Sequence, residues 1–240
     1  MCATCGCGDT HSHSGTHSHS AESRTVQLEQ DVLAKNDELA HANRHWLADR
    51  RILAVNLMSS PGAGKTTLLE RTIRELGAEL TISVIEGDQE TRFDADRIRA
   101  TGCAAVQINT GAGCHLDAEM VARGLRELDP PADSIVVIEN VGNLVCPALF
   151  DLGEFAKVVI TSVTEGADKP LKYPHMFRAA DLVLLNKTDL LPYVEFDVNR
   201  FAADARTLNP DVAVLPLTAT KGEGVANWLD WLRKHLAVHD

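Results

Sequence analysis

The stretch Ser59-Ser60-Pro61-Gly62-Ala63-Gly64-Lys65-Thr66-Thr67 follows an apolar run and opens a helical pattern. An apolar strand, a glycine-rich turn and a helix, in this order, form the context that a phosphate-binding P-loop requires. Gly62 and Gly64 let backbone N–H groups approach phosphate oxygens, and the helix N-terminus adds a favourable dipole. The stretch therefore predicts a nucleotide-binding α/β domain, with Lys65 at the β and γ phosphates and Thr66 as a Mg²⁺ ligand.

One position departs from the usual pattern G-x-x-x-x-G-K-[ST]. Ser59 stands where that pattern has its first glycine. That position shapes the turn and does not contact phosphate closely, so we expect the loop to keep its function. The predicted nucleotide contacts in the loop are Ser60, Gly62, Ala63, Gly64, Lys65, Thr66 and Thr67.

Short apolar runs alternate with helical patterns along the rest of the chain. This alternation predicts an α/β fold with a mostly parallel sheet and helices on both faces, in one P-loop domain over 52–240. A helix over 21–51 is predicted before it, because apolar pairs recur there every seven residues without Gly or Pro. The predicted strands are Ile52–Met58, Leu80–Ile85, Ala104–Ile108, Ile135–Ile138, Val158–Val163, Leu182–Leu185 and Val212–Leu217. The predicted helices are Lys65–Leu76, Asp94–Ala100, Leu116–Leu128, Glu195–Leu208 and Val225–Val238.

The composition narrows the choice of partners. The chain has 240 residues, of which 45% are hydrophobic and 24% charged, as is typical of a globular protein. Its 23 Lys and Arg against 34 Asp and Glu give a formal net charge of −11, which disfavours a nucleic-acid partner. No apolar stretch approaches the roughly 18–20 residues that cross a bilayer, and no apolar signal segment begins the chain. We therefore expect a cytoplasmic protein with no membrane or nucleic-acid partner.

The Asn-Lys-Thr-Asp sequence at 186–189 ends an apolar run, at the sheet edge where α/β proteins bind ligands. Its form is that of the Asn-Lys-x-Asp guanine motif. The Asp189 carboxylate can accept hydrogen bonds from guanine N1–H and the exocyclic amine, a pair of donors that adenine does not present. Asn186 and Lys187 would hold the loop and cover the base. A weaker signal for a second guanine contact lies at Thr218 and Ala219.

Two acidic side chains follow apolar runs elsewhere in the chain. Asp88 ends a Glu-Gly-Asp sequence, and Glu139 begins Glu-Asn-Val-Gly. Mg²⁺ takes hard oxygen ligands close to phosphates, so both acids are candidate ligands beside Thr66. Asp88 could instead orient the attacking water, and a solvated acid at a strand end is the plainer alternative for each. The candidate catalytic residues are Lys65, Asp88 and Glu139.

The first twenty residues have almost no apolar side chains to bury. Without burial to offset the entropy of ordering, we expect 1–20 to be a flexible tail until a ligand binds it. Three cysteines can wrap one thiophilic cation such as Ni²⁺, Zn²⁺ or Cu⁺, namely Cys2, Cys5 and Cys7. Alternating histidines suit borderline divalent metals and are candidate additional nickel ligands, namely His11, His13, His17 and His19. The plainer alternative is an encoded tag or a random tail.

A second group of soft ligands lies further along the chain. Cys114 and His115 stand at a predicted strand–helix junction, and Cys146 comes four residues after Gly142. Three nitrogen and sulfur ligands are too few for a closed tetrahedral site. They suffice if a second subunit contributes a ligand across a two-fold axis, or if the metal is meant to leave. The alternative for Cys146 is simple burial, which is what we expect of Cys103.

These motifs together resemble the HypB family of hydrogenase nickel-incorporation GTPases, in the SIMIBI class of P-loop proteins. The matching stretches occur in order and span nearly the whole chain: Cys-x-x-Cys-Gly-Cys, Ser-Ser-Pro-Gly-Ala-Gly-Lys-Thr-Thr, Glu-Gly-Asp, Gly-Cys-His-Leu, Glu-Asn-Val-Gly-Asn-Leu-Val-Cys-Pro and Asn-Lys-Thr-Asp.

The resemblance implies a nickel metallochaperone that hydrolyses GTP slowly and forms a homodimer with GTP bound. By the same resemblance, Cys2, Cys5 and Cys7 correspond to a tight nickel site of some members. Cys114, His115 and Cys146 correspond to a weaker nickel or zinc site at the dimer interface. The implied partners are a HypA-type nickel chaperone and the hydrogenase large-subunit precursor.

Three rival interpretations share some of these features. The urease accessory GTPase UreG has the same fold and guanine motif. At the position where this chain has Thr-Gly-Ala-Gly-Cys-His, however, the UreG pattern is Thr-Gly-x-Cys-Pro-His. A nickel storage or buffer protein would use its nucleotide site only for structure or regulation. A mutase-protecting GTPase of the MeaB type would need extra length and has no use for the metal ligands.

The spacing also suggests how the two sites communicate. If the loop closes around GTP and Mg²⁺, the segment Glu139–Gly142 moves toward the γ phosphate. Cys146 then moves relative to Cys114 and His115. Nucleotide state would set metal affinity, and metal would change nucleotide affinity by the same factor.

Overall fold

The computed structural model describes residues 18–88, 93–111 and 113–237, with side chains from residue 31 onward. Most of the predicted flexible tail at 1–20 lies outside these residues. The metal ligands predicted within it are therefore outside the described residues or described in backbone only: Cys2, Cys5, Cys7, His11, His13, His17 and His19.

A seven-stranded sheet forms the centre of the domain, with the strand order β3-β2-β4-β1-β5-β6-β7. Every neighbouring pair of strands is parallel. The strands are β1 Leu53–Ser59, β2 Ile82–Asp88, β3 Ala104–Asn109, β4 Ile135–Glu139, β5 Ala156–Ser162, β6 Leu182–Asn186 and β7 Ala213–Pro216. Each overlaps a predicted strand, so the predicted parallel sheet is confirmed.

Eight α-helices connect or precede the strands in the described part of the chain. They are α1 Ser18–Ala48, α2 Lys65–Leu76, α3 Phe93–Arg99, α4 Ala118–Leu128, α5 Lys169–Lys172, α6 Pro174–Ala179, α7 Val198–Leu208 and α8 Val225–Ala237. The helix predicted over 21–51 begins and ends three residues earlier, because the chain turns at 49–51 and Arg51 takes a positive φ of 52°. The sequence pattern missed α5 and α6, since helices of 4 and 6 residues are too short to show a helical period.

The helices cover both faces of the sheet, as the apolar strands predict. Leu53, Val55 and Leu57 of β1 pack in one buried cluster with α2, α3 and α8. Ala54 and Met58 point the other way, into clusters built by α1 and α4 and by α6 and α7. This alternation follows from the two-residue period of a strand. No helix among the described residues is both long and apolar enough to span a membrane.

Helix α1 is fastened to the domain by two buried asparagine amides. The Asn36 amide donates to the Asp151 carbonyl at 2.8 Å and accepts from Ala118 N–H at 2.9 Å. The Asn43 amide donates to the carbonyls of Ala118 at 2.8 Å and Leu152 at 3.0 Å. Helix α1 thus joins the start of α4 to the segment at 151–152.

Gly153 allows α1 to approach this segment closely. Its φ is +86°, and a Cβ atom there would lie 2.5 Å from the Ala40 carbonyl oxygen. We expect Gly153→Ala to lower the free energy of unfolding by the backbone cost of about 1–3 kcal/mol, plus a similar cost for pushing α1 away. Urea unfolding measures both together.

Gly102→Ala is the matched control. Gly102 has nearly the same φ, +85°, but no described atom lies within 4 Å of the added Cβ. The Gly102→Ala substitution should therefore lower the free energy of unfolding only by the backbone cost. Equal decreases in the free energy of unfolding of the two variants would contradict the close packing of α1 on Gly153.

Candidate functional site

A cleft of about 510 Å³ opens at the carboxyl ends of β1, β2 and β4. This is the edge where open α/β sheets bind ligands. The P-loop, the two predicted carboxylates and the following glycine all border it. Its lining residues are Pro61, Gly62, Gly64, Lys65, Thr66, Thr67, Asp88, Asp94, Arg97, Glu139, Val141, Gly142 and Lys187.

The P-loop lysine is held by the residue that departs from the usual pattern. Lys65 Nζ donates to Ser59 Oγ at 2.8 Å, and the Ser59 hydroxyl also donates to the Ser60 carbonyl at 2.7 Å. Burial lowers the pKa of Lys65, although the charges of Glu139 and Asp94 oppose this shift. Serine at this position therefore gives the lysine a neutral partner inside the loop, which the sequence pattern did not predict.

Thr66 and Glu139 meet in the cleft, as expected of two ligands of one cation. The Thr66 hydroxyl donates to Glu139 Oε1 at 2.8 Å. Glu139 Oε2 is buried and has no hydrogen-bond partner among the described residues. Burial raises the pKa of Glu139, with opposing contributions from the Lys65 charge and the Thr66 hydrogen bond. A buried carboxylate oxygen without a partner suits a hard cation, so these two residues fit Mg²⁺.

A second buried acid, Glu86, lies beside Glu139 in the sheet. The two residues are directly paired in the β2–β4 register. Burial, together with the charges of Glu139 and Asp88, raises the pKa of Glu86 to about 8. Glu86 is therefore mainly protonated at neutral pH in the nucleotide-free protein. Asp88, two residues further, borders the cleft as predicted.

Arg97 on α3 adds a cation to the cleft that the motif analysis missed. Its guanidinium bonds Glu70 Oε1 at 3.1 Å and Oε2 at 3.0 Å, and Asp94 Oδ1 at 3.3 Å. The spacing of Asp94 and Arg97, one turn apart on the helix that follows the Glu-Gly-Asp sequence, is the signal that could have indicated it.

The predicted guanine loop is bound directly to the P-loop. The Asn186 amide donates to the Ala63 carbonyl at 2.9 Å and accepts from Ala219 N–H at 3.0 Å. Lys187 Nζ donates to the Gly62 carbonyl at 2.7 Å. The predicted holding role of Asn186 and Lys187 therefore has a geometric basis in these bonds.

The Asp189 side chain lies beside the loop at 218–221. Asp189 N–H donates to the Thr218 hydroxyl at 3.2 Å, and its carboxylate pairs with Lys221 at 3.1 Å. Thus the Asn-Lys-Thr-Asp sequence and the candidate Thr218–Ala219 contact share one corner of the domain.

The segment after Glu139 also touches the P-loop. Gly142 borders the cleft, and a Cβ atom there would lie 3.2 Å from Pro61 Cα. Any side chain at position 142 would therefore press on the phosphate loop. The segment after Glu139 is thus packed directly against the P-loop.

The second group of soft ligands comes together in space, as its residue types predict. Cys114 Sγ lies 2.8 Å from Cys146 Sγ and 3.6 Å from His115 Nδ1. The ligand atoms of all three residues lie within 4.8 Å of one another. The His115 ring stacks on Phe150 with centroids 3.9 Å apart, and burial lowers its pKa. These partly buried thiols and this imidazole form a set typical of nickel, zinc or copper.

Cys103 lies apart from this cluster and packs against the amino end of the sheet. Its thiol donates to the Ile82 carbonyl at 3.1 Å. Burial raises the pKa of the Cys103 thiol to about 11. Both observations agree with the packing role expected for it.

Comparison with known proteins gives matches along most of the chain. The family model for the "CobW/HypB/UreG, nucleotide-binding domain" matches residues 53–216. The hydrogenase maturation factor HypB of Azotobacter chroococcum mcd 1 is 58% identical over 214 residues, which cover 89% of this chain and 70% of that protein.

Solved structures agree with this match. HypB from Archaeoglobus fulgidus superposes with a TM-score of 0.79 at 43% identity, covering 85% of this chain and 100% of that one. HypB from Helicobacter pylori, solved in complex with nickel, has a TM-score of 0.79 at 36% identity, covering 85% of this chain and 95% of that one.

The raised pKa of Cys103 predicts slow alkylation. At pH 8 a thiol of pKa about 11 is ionised to about 0.1%, against roughly a quarter for an ordinary cysteine. We therefore expect iodoacetamide to modify Cys103 about 10²-fold more slowly in the folded chain than in urea. Mass spectrometry of the peptides measures both rates, and equal rates would show that Cys103 is not buried.

Proposed function

We propose that this chain, which belongs to the HypB family of hydrogenase maturation factors within the CobW/HypB/UreG group, is a GTPase that delivers nickel to a hydrogenase large-subunit precursor. The observation that carries the proposal is the placement of two sites on one segment. Glu139 and Gly142 border the nucleotide cleft, and Cys146, four residues later, joins Cys114 and His115 in the metal-ligand cluster.

The choice of GTP rests on the guanine loop. Asn186 and Lys187 of this loop are hydrogen-bonded to the P-loop. A base held by the guanine loop would therefore lie at a fixed distance from phosphates held by Lys65. The Asp189 carboxylate would accept the two guanine donors, replacing its present contact with Lys221. Adenine would leave this partly buried acceptor unpaired, which disfavours ATP.

The remaining cleft residues supply the groups that phosphoryl transfer needs. Lys65 and the N-terminus of α2 stabilise negative charge on the phosphates. Thr66 and Glu139, with Asp88 beside them, would hold a Mg²⁺ ion, which neutralises phosphate charge when bound. Asp88 borders the same cleft, which supports its alternative role of orienting a water molecule. In the nucleotide-free protein Glu86 is mainly protonated, so it adds no third negative charge beside Glu139 and Asp88.

Nickel is the proposed cargo of the cluster. Two thiolates and one imidazole suit Ni²⁺, and Zn²⁺ would bind the same ligands. Three ligands leave a position open for a group from a second copy of the chain or from a receiving protein. The nickel-bound structure of the Helicobacter pylori relative supports this assignment. Cys2, Cys5 and Cys7, with the nearby histidines, would provide a separate nickel site.

The partners follow from this transfer role. A GTP-promoted homodimer would complete the coordination of the metal, and a HypA-type nickel chaperone would exchange nickel with it. The final acceptor is the hydrogenase large-subunit precursor. A purely storage role would not need a guanine loop bound to the P-loop, and the match to HypB disfavours a urease-specific function.

Asp189→Asn tests the nucleotide assignment. Loss of the carboxylate removes the acceptor for both guanine donors, so GTP affinity should fall by about 10²-fold or more while ATP binding stays unchanged. Titration with fluorescent GTP and ATP analogues measures both affinities. Asp211→Asn is the matched control, because Asp211 is exposed and does not border the cleft. Undiminished discrimination against ATP in Asp189→Asn would count against GTP.

Nickel titration with different nucleotides tests the link between the two sites. The full-length chain with Cys2, Cys5 and Cys7 replaced by Ser is used, so that thiolate-to-nickel absorbance reports on the cluster. We expect the nickel affinity to differ about 5- to 150-fold between the GDP state and a non-hydrolysable GTP analogue.

Two further variants identify the ligands in this titration. Cys146→Ala should weaken nickel binding about tenfold or more, whereas Cys103→Ala should leave it unchanged. Equal nickel affinities in the two nucleotide states would rule out the coupling, and retained binding in Cys146→Ala would rule out the cluster as the nickel site.

A further inference from the structure

A chain of buried hydrogen bonds runs behind the nucleotide cleft. The Asn140 side-chain oxygen accepts from Leu116 N–H at 3.1 Å and from Val141 N–H at 2.9 Å. The Asn140 amide nitrogen donates to Asn56 Oδ1 at 3.3 Å. Asn56 donates to Glu154 Oε1 at 3.0 Å, and Glu154 Oε2 accepts from a backbone N–H two residues before it at 2.6 Å.

These side chains are sealed from solvent. Asn56, Asn140 and Glu154 are 0%, 2% and 5% exposed. A buried polar group that loses its partner costs about 1–3 kcal/mol, because no water replaces the lost bond. The chain of bonds therefore has one strongly preferred arrangement, and a shift at one end must be accommodated at the other.

One end of this chain, the bond between Asn140 and Leu116, lies between the two functional sites. Asn140 sits between Glu139, which binds the Thr66 hydroxyl, and Val141, which borders the cleft. Leu116 directly follows the ligand pair Cys114 and His115. One amide thus touches both the segment facing the phosphates and the segment carrying two metal ligands.

We propose that Asn140 is a positioning residue that transmits nucleotide state to the metal-ligand cluster through its bond to Leu116 N–H. This inference rests on the proposed function and names the residue through which its coupling passes. In one nucleotide state the Asn140 oxygen accepts from Leu116 N–H, and when the segment at 139–142 moves this bond is lost and the buried N–H is left unpaired. The cost of an unpaired buried N–H corresponds to an affinity ratio of about 5- to 150-fold between nucleotide states.

A second contact supports this route. The Asn143 amide donates to the Cys114 carbonyl at 3.4 Å. That bond is long and joins only partly buried groups, whereas the bond from Asn140 is shorter and fully buried. The coupling therefore passes mainly through Asn140.

The test measures the ratio of nickel affinities in the GDP and GTP-analogue states, in the full-length chain with Cys2, Cys5 and Cys7 replaced by Ser. Asn140→Ala removes the acceptor of Leu116 N–H, so its ratio should fall to within about twofold of one. Asn140→Asp keeps an acceptor oxygen there, so it should retain most of the parent ratio. Asn209→Ala removes a comparable bond, to the Ala180 carbonyl at 2.8 Å far from both sites, and should leave the ratio unchanged.

Each outcome decides between the proposals. If the chain that keeps Asn140 binds nickel equally well in the two nucleotide states, the coupling in the proposed function itself is overturned. A normal parent ratio that persists in Asn140→Ala overturns the role of Asn140 alone. Equal loss in Asn140→Ala and Asn140→Asp also overturns it, because a merely structural role would not distinguish the two.

Amide hydrogen exchange provides a measurement that needs no variant at position 140, should Asn140→Ala fail to fold. In the unsubstituted chain, the exchange rate of the Leu116 amide should differ by about fivefold or more between the GDP and GTP-analogue states. An identical rate in both states would overturn the proposal.

Discussion

The parallel pairing of β1 with β4 is the constraint on which the rest of the site depends. In this register Leu57 lies opposite Glu139, so the P-loop begins immediately beyond the point where β4 ends. The Thr66 hydroxyl at the start of α2 then reaches the Glu139 carboxylate at 2.8 Å. A carboxylate held inside the protein with one oxygen lacking a partner among the described residues is unfavourable unless a cation satisfies it or a proton neutralises it. The backbone pairing of two strands therefore places an acceptor that fits a cation beside the P-loop.

The same two strands connect this cleft to the candidate metal ligands Cys114, His115 and Cys146. Asn56 of β1 bonds Asn140, the residue that follows β4. Helix α1 adds further hydrogen bonds near these residues, because Asn36 and Asn43 each join Ala118 to the segment at 151–152. The ligands Cys114 and His115 lie just before one of these joined segments, and Cys146 lies just before the other. The buried Asn36 and Asn43 amides therefore fix the segments that follow the cluster residues. The residues of the cluster themselves remain only partly buried.

The sequence predicted local features well, because each depends on neighbouring residues. The P-loop, the seven strands and helix α2 follow from apolar runs, glycines and helical spacing within a few positions. The cysteine–histidine cluster was also predictable from its residue types, although Cys114 and His115 follow β3 whereas Cys146 follows the segment after β4. Contacts between distant residues were not predictable. The bond between Asn56 and Glu154 joins residues 98 positions apart, and the bond between Ser59 and Lys65 depends on how the loop closes. Buried asparagines carry no periodic signal, so only the three-dimensional structure shows what they connect.

The small number of metal ligands is what makes a nucleotide-controlled site physically reasonable. A closed four-ligand site binds so tightly that a change of a few kcal/mol would not release its metal. Three partly buried ligands bind more weakly, and burial lowers the pKa of His115, which keeps the imidazole neutral and able to bind metal near neutral pH. A rearranged buried hydrogen bond is worth about 1–3 kcal/mol, which is the size of a typical coupling between two binding sites. Linkage then requires the metal to change nucleotide affinity by the same factor. Under the proposed function, such a chain would hold its metal in one nucleotide state and release it in the other without any large movement of the sheet.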